Sequence, residues 1–281
     1  MSGKGVGRPD EQTESLELEL LLSGIAQRYG YDFSGYSRTV LAGRIRRILF
    51  EERLPTISAL QERVLHEPPA IERFLERVTG QATSAFQNPD QSLALRREVM
   101  PLLRTYPFVR IWHVGCATGE EVYATAIVLH EEGLYPRAHV YGTDVGEANL
   151  ERARSGAFSL AAMQDDAEAA RRAGCREDLS RYYQVEGDRA VILPELRRNV
   201  IFSQYSLVSD DAFNEFQLIV CRNVLRAFDQ ELRARAHEVL YRSLCNFGVL
   251  ALGSRESLEG TPFQDRYQSL GSGLGLFRRM R

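Results

Sequence analysis

Glu120 and Glu121 stand directly after the small-residue stretch Gly115-Cys116-Ala117-Thr118-Gly119, and Asp144 closes the next apolar run, "VYGTD". Gly115 and Gly119 let the backbone turn sharply and approach a ligand closely. The pattern is not the G-x-G-x-x-G dinucleotide fingerprint, and no Lys-Ser/Thr follows as in a phosphate-binding loop. Two acids opening a helix repel a phosphate and suit a cationic or amine-bearing ligand. Asp144 is placed to accept hydrogen bonds from ribose hydroxyls. Together these features fit S-adenosylmethionine, which carries an amino group, a sulfonium and a ribose but no phosphate. Structural alternatives stay open for each acid. Thr118-x-x-Glu121 is also a capping box, and Asp144 would serve as a cap for the helix that follows it.

The elements that must position these residues follow from periodicity. "VRIWHV", "AHVYGTD", "NVIFSQYSL", "FQLIVCRN" and "GVLALGS" are short runs rich in β-branched and aromatic residues. Helical stretches, "EEVYATAIVLHEEG", "GEANLERARSG" and "QELRARAHEVLYRSLCNFG", separate most of them. This alternation predicts an α/β fold with a mostly parallel sheet covered on both faces. In such sheets ligands bind at the carboxyl ends of the strands. Residues 11–80 instead show only helical spacing, with Leu18, Leu21, Leu22 and Ile25 as a first stripe, and predict a small helical bundle. "TISALQERVLHEPP" and "AIERFLERVTG" read as two short helices with Pro-Pro between them. Residues 81–106 read as a linker and bridging helix, and 107–281 as the ligand-binding domain. An irregular insert at about 157–197 contains "RYYQVEGDRAVILP", which suits a small antiparallel hairpin.

The chain has 281 residues, a length that suggests about two domains. Hydrophobic residues make up 44% and charged residues 26%, enough apolar material for a buried core. The formal net charge of -3 gives no overall pull toward nucleic acid. No apolar run reaches the roughly 20 residues of a membrane helix, so no membrane insertion is expected. Residues 1–10 are polar and glycine-rich and read as a disordered leader without a secretory core. The four cysteines are scattered, which suits reduced thiols in a cytoplasmic protein, and neither they nor the five histidines show metal-ligand spacing.

"GCATGEEVYATAI", "GTDV" with "NLERARSGAF", and "CRNVLRAFD" resemble the motifs of CheR, the chemotaxis receptor glutamate methyltransferases. "TSAFQNPDQ" and "GYSRTVLAGRIRR" resemble that family's two N-terminal motifs, so the likeness covers nearly the whole chain beyond the leader. It implies an all-helical N-terminal domain joined to a class I methyltransferase sheet of Rossmann type, with a small antiparallel β-subdomain. It also implies methyl transfer from S-adenosylmethionine to receptor glutamates, leaving S-adenosylhomocysteine. Under the resemblance Glu121 holds the methionine end of the cofactor, Asp144 the ribose, and Leu207 packs near the adenine. Thr83, Gly115, Ala117, Gly119, Val145, Ser206, Asn223 and Val224 complete the pocket. Arg38, Arg44, Arg46 and Arg47 would face the acidic methylation helices of a chemoreceptor-like cytoplasmic domain or another signalling protein. The alternative for them is a solvated helix face.

Several positions depart from the family pattern. Ala85-Phe86-Gln87 replaces two phenylalanines and an arginine, and Ala227 replaces a tyrosine. Ser206-Leu207 stands for Asn-Leu, Gly146 for a second acid, "CNFG" for a glycine-rich turn, and Ser254-Arg255-Glu256 for His-Ser-Glu. Arg222 or Gln87 would have to substitute for the missing arginine. Two readings therefore remain, an active protein-glutamate methyltransferase and a degenerate homologue that binds the cofactor as a regulator or scaffold. A nucleic-acid methyltransferase is disfavoured, because Asn88-Pro89 is followed by Asp90 and not by a second proline and an aromatic residue.

Overall fold

In residues 11–79 apolar side chains recur every three or four positions, and four helices result. The computed structural model describes residues 11–79, 84–271 and 273–280; the expected leader and Thr83 lie outside them. The chain divides after Thr79 into two compact units. In the first, α1 (Glu11–Tyr29) buries Leu18, Leu21, Leu22 and Ile25. Helix α2 (Arg38–Glu52) buries Leu41, Ile45 and Ile48 and ends where Arg53 turns left-handed. Helix α3 (Ile57–His66) starts at Thr56, whose hydroxyl accepts the Ala59 N–H at 3.1 Å, a cap worth about 1 kcal/mol. Helix α4 (Pro68–Thr79) buries Ala70, Ile71, Phe74, Leu75 and Val78. Pro68 and Pro69 do not separate the last two helices but open α4, since a first-turn residue needs no N–H.

The second unit begins with α5 (Pro89–Ala94), one π turn at Leu95–Val99, and α6 (Met100–Leu103). Then come β1 (Val109–Val114), α7 (Glu120–Glu131), β2 (Ala138–Asp144), α8 (Glu147–Ser155), β3 (Ala157–Ser159) and α9 (Leu160–Arg172). They are followed by β4 (Tyr183–Glu186), β5 (Arg189–Ile192), α10 (Pro194–Arg197), β6 (Val200–Gln204) and β7 (Phe216–Cys221). The unit finishes with α11 (Gln230–Ser243), β8 (Leu244–Leu252), β9 (Tyr267–Leu270) and β10 (Leu276–Arg279). The main sheet has the order β6-β2-β1-β7-β8-β10-β9. Strands β6, β2, β1, β7 and β8 are parallel; β10 runs antiparallel to β8, and β9, paired antiparallel with β10, runs in the direction of the others. This strand order matches the expectation drawn from the sequence resemblance, a class I methyltransferase sheet. The chain winds from β1 toward β6 and then returns to β7 beside β1, so the crevice lies outside the carboxyl ends of those strands.

The insert is more regular than its sequence suggests. Beside the expected hairpin β4–β5 it holds β3 in a three-stranded sheet of order β3-β5-β4, and a 13-residue helix, α9. Helix α11 stops at Ser243, earlier than its helical pattern, and Cys245-Asn246-Phe247-Gly248 belongs to β8. The strand accommodates these residues by a register shift against β7, with Phe247 at φ 66°, as a bulge does.

A buried ion network ties the insert to the main sheet. Arg96 donates to Glu131 (2.6 Å) and Glu132 (3.0 Å) at the end of α7, and all three side chains are nearly inaccessible. Tyr182 and the N–H groups of Arg176 and Glu177 also reach Glu131 Oε1. Burial alone would raise the Glu131 carboxyl, but the donors from Tyr182, Glu177, Arg176 and Arg96 outweigh it and hold it below its ordinary 4.5. A carboxyl lowered by folding stabilises above its unfolded pKa and loses that contribution as pH falls through the folded value. Glu131→Gln is expected to cost about 3 kcal/mol at neutral pH, the lower end for a broken buried pair. It should also flatten the loss of stability expected for the parent protein on acidification below pH 4.5, which urea titrations across pH would measure.

Candidate functional site

Five loops leave the carboxyl ends of β1, β2, β6, β7 and β8, and the residues with chemical capacity sit on them. The loop after β1 alternates handedness, with Gly115 at φ 64°, Ala117 at 46° and Gly119 at 91°. Gly115 is required for a second reason: a Cβ there would stand 2.6 Å from Cγ2 of Val224, on the loop after β7. The loop is pinned to β2 by the Cys116 N–H donating to the Thr143 carbonyl at 2.8 Å. The capping box does not form. Gly119 is the N-cap of α7 without a side-chain bond, and the Thr118 hydroxyl donates to Glu120 instead.

Asp144, at the tip of β2, is 5% exposed. Its Oδ2 accepts the Ala117 N–H at 3.0 Å, and its Oδ1 accepts the Gly146 N–H at 2.9 Å and the Asn149 amide at 3.2 Å. The carboxylate thus organises the β1 loop and the start of α8 together. Burial raises its pKa above the ordinary 3.8, against the pull of the N–H groups of Gly146, Ala117 and Val145 and the Asn149 amide. Val145 beside it is half-buried and its carbonyl accepts from Gln204. After β6, Tyr205 N–H donates to the Asp144 carbonyl, Ser206 is held by the Asp210 carboxylate at 2.7 Å, and Leu207 is buried. Ser206 and Leu207 therefore enter the same strand-tip region as Asp144.

Glu121 is bonded to the guanidinium of Arg222, whose side chain is 6% exposed. Glu120 accepts from the Thr118 hydroxyl through both carboxylate oxygens, and burial raises its pKa. Arg222 is neutralised by Glu121, so the loops present more carboxylate than cation. A sulfonium and an ammonium suit that balance, and the small-residue turn provides close backbone approach. These residues fit the ligand expected from the sequence. Two buried histidines are held neutral: desolvation, then the charge of Arg222, lowers His113 to about 3, and burial with Arg233 nearby lowers His237 to about 4.

The loop after β7 carries Asn223 at φ 64° and Val224, half-buried against Gly115. The Asn223 amide donates to Gln87 Oε1 at 3.4 Å, joining a residue expected in the cofactor pocket to the position where the family's arginine is missing. Ala227 lies in a short turn of 3-10 type and is only 3% exposed, with a methyl where the related pattern has a phenol. Two acids were missed. Asp166 on α9 accepts from the Ser84 hydroxyl (2.5 Å) and the Ala85 N–H (2.7 Å), fixing the segment that leads into Gln87. Glu256 accepts three N–H groups from the loops after β7 and β8. The Asp166 contact spans 81 positions and has no local sequence signal.

The four arginines of α2 are each engaged within the helical unit. Arg38 pairs with Glu19, Arg46 with Glu14, and Arg47 with Glu51, all near the surface. Arg44 is half-buried and donates to the Val78 carbonyl at the end of α4, which sets it apart from the exposed face. Among the described residues no cluster of His, Cys, Asp and Glu is arranged to hold a metal, and no helix is long and apolar enough to cross a membrane.

Comparison with known proteins matches residues 81–272 to the CheR methyltransferase, SAM binding domain, and residues 16–79 to the CheR methyltransferase, all-alpha domain. A Pseudomonas putida protein with the provisional name methyltransferase Cher3 is 42% identical over 96% of this chain and 98% of its own length. A chemotaxis protein methyltransferase of Listeria monocytogenes is 28% identical over 82% of this chain and 85% of its own. Chemotaxis protein methyltransferase 1 of Pseudomonas aeruginosa is 23% identical over 94% and 97%.

Asp144→Asn puts an amide donor against the N–H groups that the carboxylate accepts. It is expected to weaken S-adenosylhomocysteine binding about 10–100-fold, as the loss of one hydrogen bond to a charged group does. Because burial raises the Asp144 pKa, and ribose hydroxyls need the charged form, affinity of the parent protein should fall on acidification earlier than an ordinary aspartate would dictate. The Asn variant should lack that dependence. Calorimetric titration across pH checks both.

Proposed function

This chain belongs to the CheR methyltransferase family, and on that premise we propose that it methylates glutamate side chains of a chemoreceptor-like cytoplasmic protein. Its second unit is a SAM-binding domain of S-adenosylmethionine-dependent methyltransferases. The observation that supports the reading is the Asp144 assembly, which fastens the loop after β1 at the tip of β2. The cofactor supplies an electrophilic methyl group. A glutamate carboxylate would take that methyl, a C–O bond forming as the sulfonium C–S bond broke, and would need no base from the protein, because glutamate with a pKa of about 4.3 is already ionised at neutral pH. The protein's part is to align oxygen, methyl carbon and sulfur in a dry pocket, which accounts for much of the acceleration in such reactions.

The arginines of α2 support an acidic partner. Arg46 and Arg47 have side chains 62% and 81% exposed, and their pairs with Glu14 and Glu51 are surface pairs, each worth roughly 0–1 kcal/mol. An acidic helix can displace such contacts at small cost. In the insert, β4 pairs with β5 alone among the described residues, leaving an edge to which an extended partner segment can add.

One observation favours a second reading, a cofactor-binding regulator of low activity. Gln87 and Asn223 form a neutral amide pair where the related pattern has an arginine, and Arg222 is committed to Glu121. Loss of one preorganised donor at a developing charge costs on the order of 10²–10³ in rate.

Incubation with radiolabelled S-adenosylmethionine and a receptor cytoplasmic fragment should give base-labile methyl ester. Arg46→Glu with Arg47→Glu should raise KM for the fragment about tenfold, on the order of 1.4 kcal/mol, with little change in kcat. Gln87→Arg with Ala227→Tyr should raise kcat if the amide pair limits the rate. Absence of ester at saturating cofactor, with S-adenosylhomocysteine still bound, would leave the regulatory reading standing.

A further inference from the structure

Glu256 follows β8 and has no side-chain partner among the residues assigned to the pocket, yet it holds one of them. Its Oε2 accepts the N–H of Asn223 and the N–H of Gly253, both at 2.9 Å, and its Oε1 accepts the N–H of Arg226 at 3.2 Å. One carboxylate therefore clamps the loops after β7 and β8 at three backbone points.

Asn223 has particular need of such a clamp. Its φ of 64° lies in the left-handed region, where asparagine is tolerated but disfavoured, and where its N–H leaves the strand ladder. A donor displaced in this way requires another acceptor, and Glu256 supplies it. The fit leaves no room for adjustment: a Cβ on Gly253 would stand 2.8 Å from Glu256 Oε2 and 3.1 Å from the Asn223 nitrogen. From the far side of that backbone, the Asn223 amide reaches Gln87.

We propose that Glu256 is a positioning residue for the methyl-transfer site, fixing the left-handed backbone of Asn223 so that its amide faces S-adenosylmethionine and Gln87. The inference rests on the reading that Asn223 lines the cofactor pocket. Glu256 touches no reacting atom and acts through Asn223, so the two residues must be energetically coupled in cofactor binding.

The test is a double-mutant cycle on the full chain, with S-adenosylhomocysteine affinity measured by calorimetry and folding by thermal melting. Glu256→Ala should weaken binding on the order of tenfold or more, the effect of losing charge-assisted hydrogen bonds. Glu256→Gln should fall between, since an amide oxygen can retain the Asn223 and Gly253 donors but not also that of Arg226. In an Asn223→Ala background, Glu256→Ala should add less than about twofold. A merely structural glutamate would lower the melting temperature and give the same fold-loss in both backgrounds, and that result overturns the proposal. Should the Ala variant fail to fold, the Gln variant carries the same comparison. A neutral Asn223→Ala would remove the pocket reading and this proposal together, whereas a damaging Asn223→Ala with additive Glu256 effects removes the proposal alone.

Discussion

The strand-tip crevice depends on a buried carboxylate that has to be satisfied away from water. Asp144 takes N–H groups from the β1 loop and from the turn into α8, plus the Asn149 amide. Withdrawing a carboxylate from water is expensive unless it is fully hydrogen-bonded. The geometry that satisfies it is therefore also the geometry in which Gly115, Ala117 and Gly119 hold left-handed conformations. One acid both shapes the loop and leaves its remaining lone pairs at the place where ribose hydroxyls are expected. Asp144 is not the cap of α8, whose N-cap is Gly146 without a side-chain bond; its carboxylate instead fastens the loop after β1 to the turn into α8.

Carboxylates recur as fasteners throughout the second unit. Asp166 secures the segment before Gln87 to α9, Glu256 joins the loops after β7 and β8, and Glu131 gathers Arg96, Tyr182 and the backbone of 176–177. Each accepts backbone N–H groups that a loop would otherwise leave unpaired, which is why loops of this length can be held in one conformation. The arrangement also links the small sheet to the site: α9 leaves β3 directly and touches Ser84 and Ala85 through Asp166.

The proposed reaction centre differs in character from the loop after β1. Where the loop is densely bonded, Gln87 is exposed and shares one long hydrogen bond with Asn223. Arg222 is close in sequence but its charge is spent on Glu121. A neutral amide pair can still orient a carboxylate, but it stabilises negative charge less than a guanidinium does. Since the chemistry needs no proton transfer, such a substitution bears on rate more than on the kind of reaction.

By itself the sequence determined the local elements, because the periods of 3.6 and 2 are written into the chain: the helices of residues 11–79, the run "VRIWHV", the small-residue loop and the acid ending "VYGTD" are all readable without a fold. Motif order also determined the family. It misjudged features set by contacts across the chain. The residues of "CNFG" look like a turn but form a bulged part of β8 because β7 offers a partner, and α9, which buries Met163, Asp166 and Ala170, lies in a stretch that reads as an irregular insert. The pairing of Arg222 with Glu121, the meeting of Asn223 with Gln87, the removal of Arg44 from the basic face, and the roles of Asp166 and Glu256 were decided by tertiary structure alone. A carboxylate has no sequence signature for which distant N–H it will accept; only the folded backbone, with its particular unpaired donors, makes that choice.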